Sequence, residues 1–97
     1  MHLPHHLAAI GNAIARSRAA LTDADGMRGL RDRYESLSRR ERQVMALVVT
    51  GRLNKQVGGT LGISEATVKA HRGQMMRKMK ADSLPDLVGM ATRLRHG

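Results

Sequence analysis

The chain has 97 residues, of which 41% are apolar and only 1% aromatic, and it contains no cysteine. A chain of this length holds one small aliphatic core, so a buried small-molecule site is not expected, and disulfides and thiolate metal sites are excluded. The formal net charge is +9, and residues 38–97 carry most of it, with twelve Lys or Arg against four Asp or Glu; such an excess is typical of a domain that binds a polyanion.

Several function classes find no support in the sequence. No apolar run approaches the ~20 residues that a membrane-spanning helix needs, and no secretion leader opens the chain, so a cytoplasmic protein is expected. The early histidines His2, His5 and His6 have no Cys or carboxylate beside them, so neither a metal site nor a cofactor is predicted. An enzyme is not expected, because no nucleophile–His–acid grouping or glycine-rich phosphate loop is present.

The first third of the chain, residues 1–36, is predicted to be a helical linker. Leu7, Ile10 and Ile14 recur at helical spacing, and Leu30 continues an apolar stripe further along. Because this stripe needs a partner, the linker is a candidate dimerisation segment, although its heptads are too few to establish a coiled coil.

The next segment predicts a helix-turn-helix. Residues 38–41 form a Ser-x-x-Glu capping box before an apolar run, which predicts a first helix over about 39–50. Asn54 can cap a short second helix, Gly62 can end it in a left-handed conformation, and Ser64 can cap a third. Two short helices joined by a glycine-containing turn match this motif.

The third helix is predicted over 65–79, and its two sides differ. Val68, Met75 and Met79 share a narrow sector and predict the core face. The opposite side combines small residues with basic ones: Ala66, Lys69, Ala70, Gly73 and Arg77. A small, basic face suits a DNA groove, because the backbone can approach the bases closely.

A fourth helix is predicted after Ser83, which can cap it. Its inward stripe is Leu84, Leu87, Val88, Ala91 and Leu94. Apolar residues on this helix are either core contacts or a dimer surface. The expected fold is all-α, with a helical linker at 1–36 followed by a four-helix helix-turn-helix domain at 37–97.

Residues 37–94 resemble the LuxR-type helix-turn-helix domain, and within it the DNA-binding part of FixJ-like and NarL-like response regulators. The segments that carry the resemblance are LSRRERQVMALVVTGRLNKQVG, LGISEATVKAHRGQMMRKMKADS and LPDLVGMATRL. The resemblance implies a promoter-reading effector domain of a two-component system, with double-stranded DNA as partner and a homodimer on DNA. Residues 7–36 resemble the last receiver helix and linker of such a regulator, whereas a phosphoacceptor aspartate is absent from this chain.

The resemblance also implies roles for single residues. The third helix would enter the major groove, where Lys69 matches the base-reading lysine. Ala70 and Gly73 match positions that face base edges, although Gly73 has no side chain to make a contact. DNA-backbone contacts are implied for Asn54, Lys55, Ser64, Thr67 and His71, although a histidine at the flank of a helix, as His71 is, can also have a purely structural role. Arg72 either reaches a phosphate or packs over the core.

One departure from the resemblance concerns the second helix. Relatives usually have Ala where this chain has Gly58, and Gly59 follows it. Two adjacent glycines lower helix propensity by roughly 2 kcal/mol relative to alanines, so the second helix is predicted to be mobile or distorted.

A protein-interaction module is the alternative function. The chain also resembles, more weakly, the promoter-reading region of sigma factors, so it could contact RNA polymerase or compete by dimerising with a full-length regulator. The apolar stripe of residues 7–37 favours this alternative. A membrane-surface helix is disfavoured, because no Trp or Phe is available as an anchor.

Overall fold

The structure, a computed structural model, describes residues 24–97, so the helical pattern predicted for residues 7–21 and the early histidines lie outside it. The described part of α1 covers residues 24–35. Four further helices follow: α2 at Arg39–Val48, α3 at Asn54–Leu61, α4 at Glu65–Met79 and α5 at Leu84–His96. Residues 24–97 contain no strand, and the predicted all-α fold is confirmed.

Local signals set most of the helix ends. The Ser38 hydroxyl accepts from the Glu41 N–H at 3.1 Å, while the Glu41 carboxylate accepts from the Ser38 N–H at 2.7 Å, so the predicted capping box is present. Ser64 and Ser83 cap α4 and α5 in the same way as acceptors. Gly62 ends α3 with φ +70°, as expected for a left-handed terminating residue.

One cap is not the predicted one. Leu53, rather than Asn54, precedes the first turn of α3. Its backbone N–H donates to the Gln56 side-chain oxygen at 2.9 Å, so the glutamine three residues on satisfies the helix start. The prediction that Asn54 caps α3 is therefore wrong, and its side chain is available for another partner.

The core forms where α2, α3 and α4 pack against each other. It is aliphatic throughout and consists of Leu30, Leu37, Val44, Met45, Val48, Val57, Val68, Met75, Met79 and Leu87. The predicted inner face of α4 is confirmed, since Val68, Met75 and Met79 are all fully buried. Burial of each such side chain contributes roughly 1.5–3 kcal/mol, which makes this cluster the main source of stability.

The described end of α1 packs on this core. Leu30 is fully buried, and Arg33 Nε donates to the Met79 carbonyl at 3.1 Å. Arg42 of α2 donates to the Glu35 carbonyl at 3.0 Å, and its guanidinium lies 5.1 Å from the Tyr34 ring centroid. The last three turns of the predicted linker thus hold to the helix-turn-helix through both apolar and polar contacts.

A partly buried ion pair ties α2 to α4. Lys78 Nζ lies 2.7 Å from Glu41 Oε1, and the Glu41 side chain is only 5% exposed. Glu41 therefore serves the capping box and the ion pair with the same oxygen. Because Lys78 is held at the α2 side, its ammonium group is directed away from the outer face of α4.

The glycine pair does not interrupt α3. The helix is continuous across Gly58 and Gly59, so the predicted distortion is wrong. Gly58 is buried, and a Cβ placed there would lie 2.7 Å from the Ile63 carbonyl oxygen. The absence of a side chain lets the turn after α3 close against the helix, whereas a Cβ at Gly59 would meet nothing within 4 Å.

The last helix matches its predicted stripe with one exception. Leu87 is buried, and Leu84, Ala91 and Leu94 pack against the core. Val88, predicted to face inward, is 37% exposed and points outward. Val88 follows Leu84 by four residues, so helical periodicity alone includes it, but at about 100° per residue it lies at one end of the stripe, about 100° from the buried Leu87.

Candidate nucleic-acid interface

The outer face of α4 is exposed, small and basic. Ala66, Lys69, Ala70 and Arg77 are exposed, and Gly73 between them is half-buried. Glu65, in the first turn, is the only acidic residue on α4. The face therefore combines close access to the helix backbone with positive charge, and both properties suit a contact in the major groove.

The start of α3 is fixed against α4 by a side-chain hydrogen bond. Arg72 Nη1 donates to Asn54 Oδ1 at 2.9 Å, and both residues are half-buried. Arg72 therefore packs across the helix pair, and a guanidinium has five N–H donors of which only some are used here. Since the Asn54 oxygen faces Arg72, the amide NH₂ is directed elsewhere.

The start of α4 is organised by two hydroxyl groups. Ser64 Oγ accepts from the Thr67 N–H at 3.1 Å, and it also lies 2.8 Å from the Thr67 hydroxyl. Both residues are exposed. The neighbouring Glu65 carboxylate offsets part of the positive end of the helix dipole, so a phosphate contact at Ser64 competes with an intrinsic negative charge.

All nine residues predicted from the sequence fall on two elements. Asn54 and Lys55 lie in the first turn of α3, and the other seven lie at Ser64 or on α4. Lys55 is exposed and His71 is half-buried at the flank of α4. The two helix starts and the outer face of α4 are together called the candidate surface below, and among the nine residues direct hydrogen bonds join the Asn54–Arg72 and Ser64–Thr67 pairs.

One further residue of this surface was not among the nine. A Cβ placed at Gly73 would lie 3.5 Å from Arg77 Nη1, so the Arg77 guanidinium lies over the glycine. The helical wheel places Arg77 on the outer face, but no sequence signal shows that its side chain folds back by one turn.

Lys80 ends α4 in a left-handed conformation with φ +56°. The sequence did not predict this, because glycine usually fills such a position.

Within residues 24–97, the structure contains no cluster of three or more His, Cys, Asp or Glu that could hold a metal ion. The same residues include no helix with the length and hydropathy of a membrane span.

The sequence profile of the bacterial regulatory proteins of the luxR family matches residues 35–91. The chain is 47% identical over 89 residues to the response regulator protein TodT of Pseudomonas putida, a match that covers 92% of this chain and 39% of TodT. It is 48% identical over 83 residues to the transcriptional regulatory protein FixJ of Rhizobium meliloti, covering 86% of this chain and 41% of FixJ.

Two solved structures resemble the chain as well. The response regulator StyR superposes with a TM-score of 0.70 at 40% identity, covering 81% of this chain and 38% of StyR. Full-length FixJ from B. japonicum gives a TM-score of 0.66 at 37% identity, covering 82% of this chain and 41% of that protein. The chain thus spans about two fifths of the length of the relatives it matches.

Proposed function

The chain belongs to the luxR family of bacterial regulatory proteins, and on this premise we propose that it is the promoter-reading effector domain of a two-component response regulator in the cytoplasm. The observation that carries the proposal is the outer face of α4, where small side chains and exposed basic ones share one side of a helix. A solvated helix face more often carries long polar side chains at such positions.

In this proposal α4 enters the major groove of double-stranded DNA. Lys69 approaches the O6 and N7 atoms of a guanine, and Ala70 and Ala66 touch base edges or thymine methyl groups. Gly73 has no side chain to make a contact, and it lets the helix backbone come close to the bases. These positions specify the sequence, whereas phosphate contacts set the register and supply most of the affinity.

The phosphate contacts are assigned to the rim of the same surface. Lys55, Thr67 and His71 are its direct candidates, with Ser64 and Asn54 at the two helix starts. Arg72 combines both predicted roles, because one N–H donates to Asn54 while the remaining donors of the guanidinium can reach a phosphate. The Asn54–Arg72 hydrogen bond supports this assignment, since it holds α3 and α4 at a fixed separation.

Two copies of the chain would bind together. A partly symmetric site with half-sites about one helical turn apart places two α4 helices in successive major grooves. In a full regulator, phosphorylation of a receiver domain would release or dimerise the effector domain. The chain spans 39% of the length of TodT, and the proposal assigns that step to no residue of this chain.

The experiment is a selection from a randomised duplex pool, followed by fluorescence-anisotropy titrations at several salt concentrations. Enrichment of one partly palindromic motif, with affinity that falls steeply as salt rises, is the expected result. Salt-sensitive binding without enrichment would contradict sequence reading and leave a general DNA binder. No binding even at low salt would contradict DNA binding altogether.

A protein-interaction module is the second candidate, and one observation favours it. A shallow groove between α1, α2 and α5 is lined largely by apolar side chains, among them Tyr34, Ala46, Val49, Ala91 and Leu94, with the buried Met45 at its base. RNA polymerase or a full-length regulator are the partners this candidate implies. The variant Lys69→Ala separates the two functions, because it would weaken DNA reading and leave binding at this groove unchanged.

A further inference from the structure

A strip of four residues runs along the outer face of α4. Ala66, Ala70, Gly73 and Arg77 follow one another at steps of four, three and four, so they lie within about 60° around the helix axis. Three of the four have almost no side chain. Arg77 is therefore the single long side chain of the strip, and whatever approaches it meets the guanidinium first.

The Arg77 side chain points back along the helix. A Cβ at Gly73 would lie 3.5 Å from Arg77 Nη1 and 3.8 Å from Nη2, which places the guanidinium over the glycine. Long helical side chains ordinarily lean toward the preceding turn, and here the glycine leaves that space open. A methyl group at position 73 would just fit at these distances, whereas a longer side chain would displace the guanidinium.

The guanidinium of Arg77 forms no salt bridge within residues 24–97. Among the described residues the ion pair of this region joins Lys78 to Glu41, at 2.7 Å. Arg77 is exposed, and no carboxylate of residues 24–97 forms a salt bridge with it. The two adjacent basic residues thus divide their roles, since Lys78 secures α2 to α4 while Arg77 faces outward.

We propose that Arg77 is a second base-reading residue, which recognises a guanine beside the base pair that Lys69 contacts. An arginine fork matches guanine O6 and N7, the commonest specific contact in the major groove. The guanidinium lies at the level of Gly73, four residues from Lys69, which is roughly 6 Å along the helix axis. With base pairs about 3.4 Å apart, the two contacts are roughly two base pairs from each other.

The inference rests on the proposed function and gives Gly73 a specific role in it. Gly73 has no side chain of its own, and the Arg77 side chain from the next turn occupies the space beside it. Sequence preference at this point of the groove is then set by the pair of residues, so a substitution at either position alters the same base pair.

The test repeats the duplex selection with the full chain and three variants. Arg77→Ala removes the guanidinium, Gly73→Gln displaces it without changing the net charge, and Arg95→Ala removes the same charge from α5 as a control. We expect Arg77→Ala to lose discrimination by about fivefold to a hundredfold at one base pair close to the Lys69 contact. We expect Gly73→Gln to change the preferred base at that pair, and Arg95→Ala to leave the motif unchanged.

Other outcomes overturn the inference in distinguishable ways. If Arg77→Ala weakens all sites equally, keeps the motif and lowers the salt slope by about one, Arg77 contacts a phosphate and does not read a base. If the motif survives both Arg77→Ala and Gly73→Gln with unchanged affinity, the strip does not face the bases. If the unmodified chain enriches no motif, the proposed function itself fails. Circular dichroism of each variant shows whether folding is retained.

Discussion

The two sides of α4 differ in what they do for the molecule. On the inner side, Val68, Met75 and Met79 are completely shielded from solvent and meet α2 and α3. On the outer side, Lys69 and Ala70 are exposed to solvent. One helix of 15 residues therefore holds the fold together with one side and presents its chemistry with the other.

The contrast implies that substitutions on the outer side cost little stability. Residues that contribute nothing to packing can be exchanged at little cost in stability, so the outer side can be adapted to a DNA sequence without endangering the fold. Lys78 marks the border, because its stem emerges from α4 while its ammonium group is held by Glu41 of α2.

The largest expected effect is on the inner side. Met75→Ala removes a fully buried side chain and leaves a cavity, which lowers the free energy of unfolding by about 2–5 kcal/mol. A domain of this size has only about 5–15 kcal/mol in total, so a substantial unfolded fraction is expected on mild heating. Urea denaturation followed by circular dichroism measures the change. The exposed neighbour Gln74 supplies the control, since Gln74→Ala should stay within about 0.5 kcal/mol. Equal effects for the two variants would mean that α4 has no packed side.

The next largest effect is expected at the ion pair between Glu41 of α2 and Lys78 of α4. Glu41→Gln keeps the size of the side chain and removes its charge, so the hydrogen bonds from Lys78 and Ser38 lose their charged acceptor. Hydrogen bonds to charged groups contribute about 1.5–3 kcal/mol, and the partial exposure of Lys78 places the expected loss toward the lower end. Glu65→Gln, which alters an exposed carboxylate on α4, is the matched control and should change the free energy of unfolding far less.

The same pair makes stability depend on pH. Burial alone raises the pKa of Glu41, but the hydrogen bonds from Lys78 and Ser38 outweigh burial and hold the pKa below its usual value of 4.5. A carboxyl whose pKa is lowered by folding stabilises the folded state above its unfolded pKa, and this contribution is lost as pH falls through the lower folded pKa. The difference in unfolding free energy between the unmodified chain and Glu41→Gln should therefore shrink below about pH 4.5. A difference that stays constant down to pH 3 would show that the Glu41 charge contributes nothing.

Structural features that depend on residues close together in the sequence were predictable, and contacts between distant residues were not. The capping box at Ser38, the cap at Ser64 and the glycine turn at Gly62 act within four residues, so each leaves a readable local pattern. The inner face of α4 was predictable for the same reason, because helical periodicity records it.

Contacts between distant residues left no such pattern. Asn54 resembles a helix cap in the sequence, yet its partner is Arg72, 18 residues away. Lys78 resembles a free surface charge, yet it pairs with Glu41, 37 residues away. Gly58 resembles a weak point of α3, yet the following turn packs against it so closely that a Cβ there would lie 2.7 Å from the Ile63 carbonyl oxygen. In each case the residue type permits two roles, and only the tertiary neighbours decide between them.

The outer side is tested by Lys69→Ala. Because Lys69 is exposed, the free energy of unfolding should change by less than about 0.5 kcal/mol. Binding to the selected DNA site should weaken by about 1–3 kcal/mol, and the base preference at one position should relax. Anisotropy titrations against the selected duplex and a version with that base pair exchanged measure both effects, with Arg95→Ala as the control for lost charge. An unchanged preference for the selected base would remove Lys69 from the reading role, and a large loss of stability would show that the outer side also holds the fold.

The smallest expected effect extends the comparison to α3, where two adjacent glycines lie on different sides of one helix. Gly58→Ala and Gly59→Ala gain the same helix propensity, about 0.8–1.0 kcal/mol, so the difference between the two variants isolates packing. Gly59 is exposed with open space around it, and Gly59→Ala should raise the free energy of unfolding by nearly the full amount. At Gly58 the added Cβ would lie 2.7 Å from the Ile63 carbonyl oxygen, so the turn must shift and Gly58→Ala should gain less or lose stability. Urea denaturation measures both, and amide hydrogen exchange along α3 tests the mobility predicted from the glycine pair. Equal gains would mean that the turn yields freely and that α3, unlike α4, has no side on which packing excludes a methyl group.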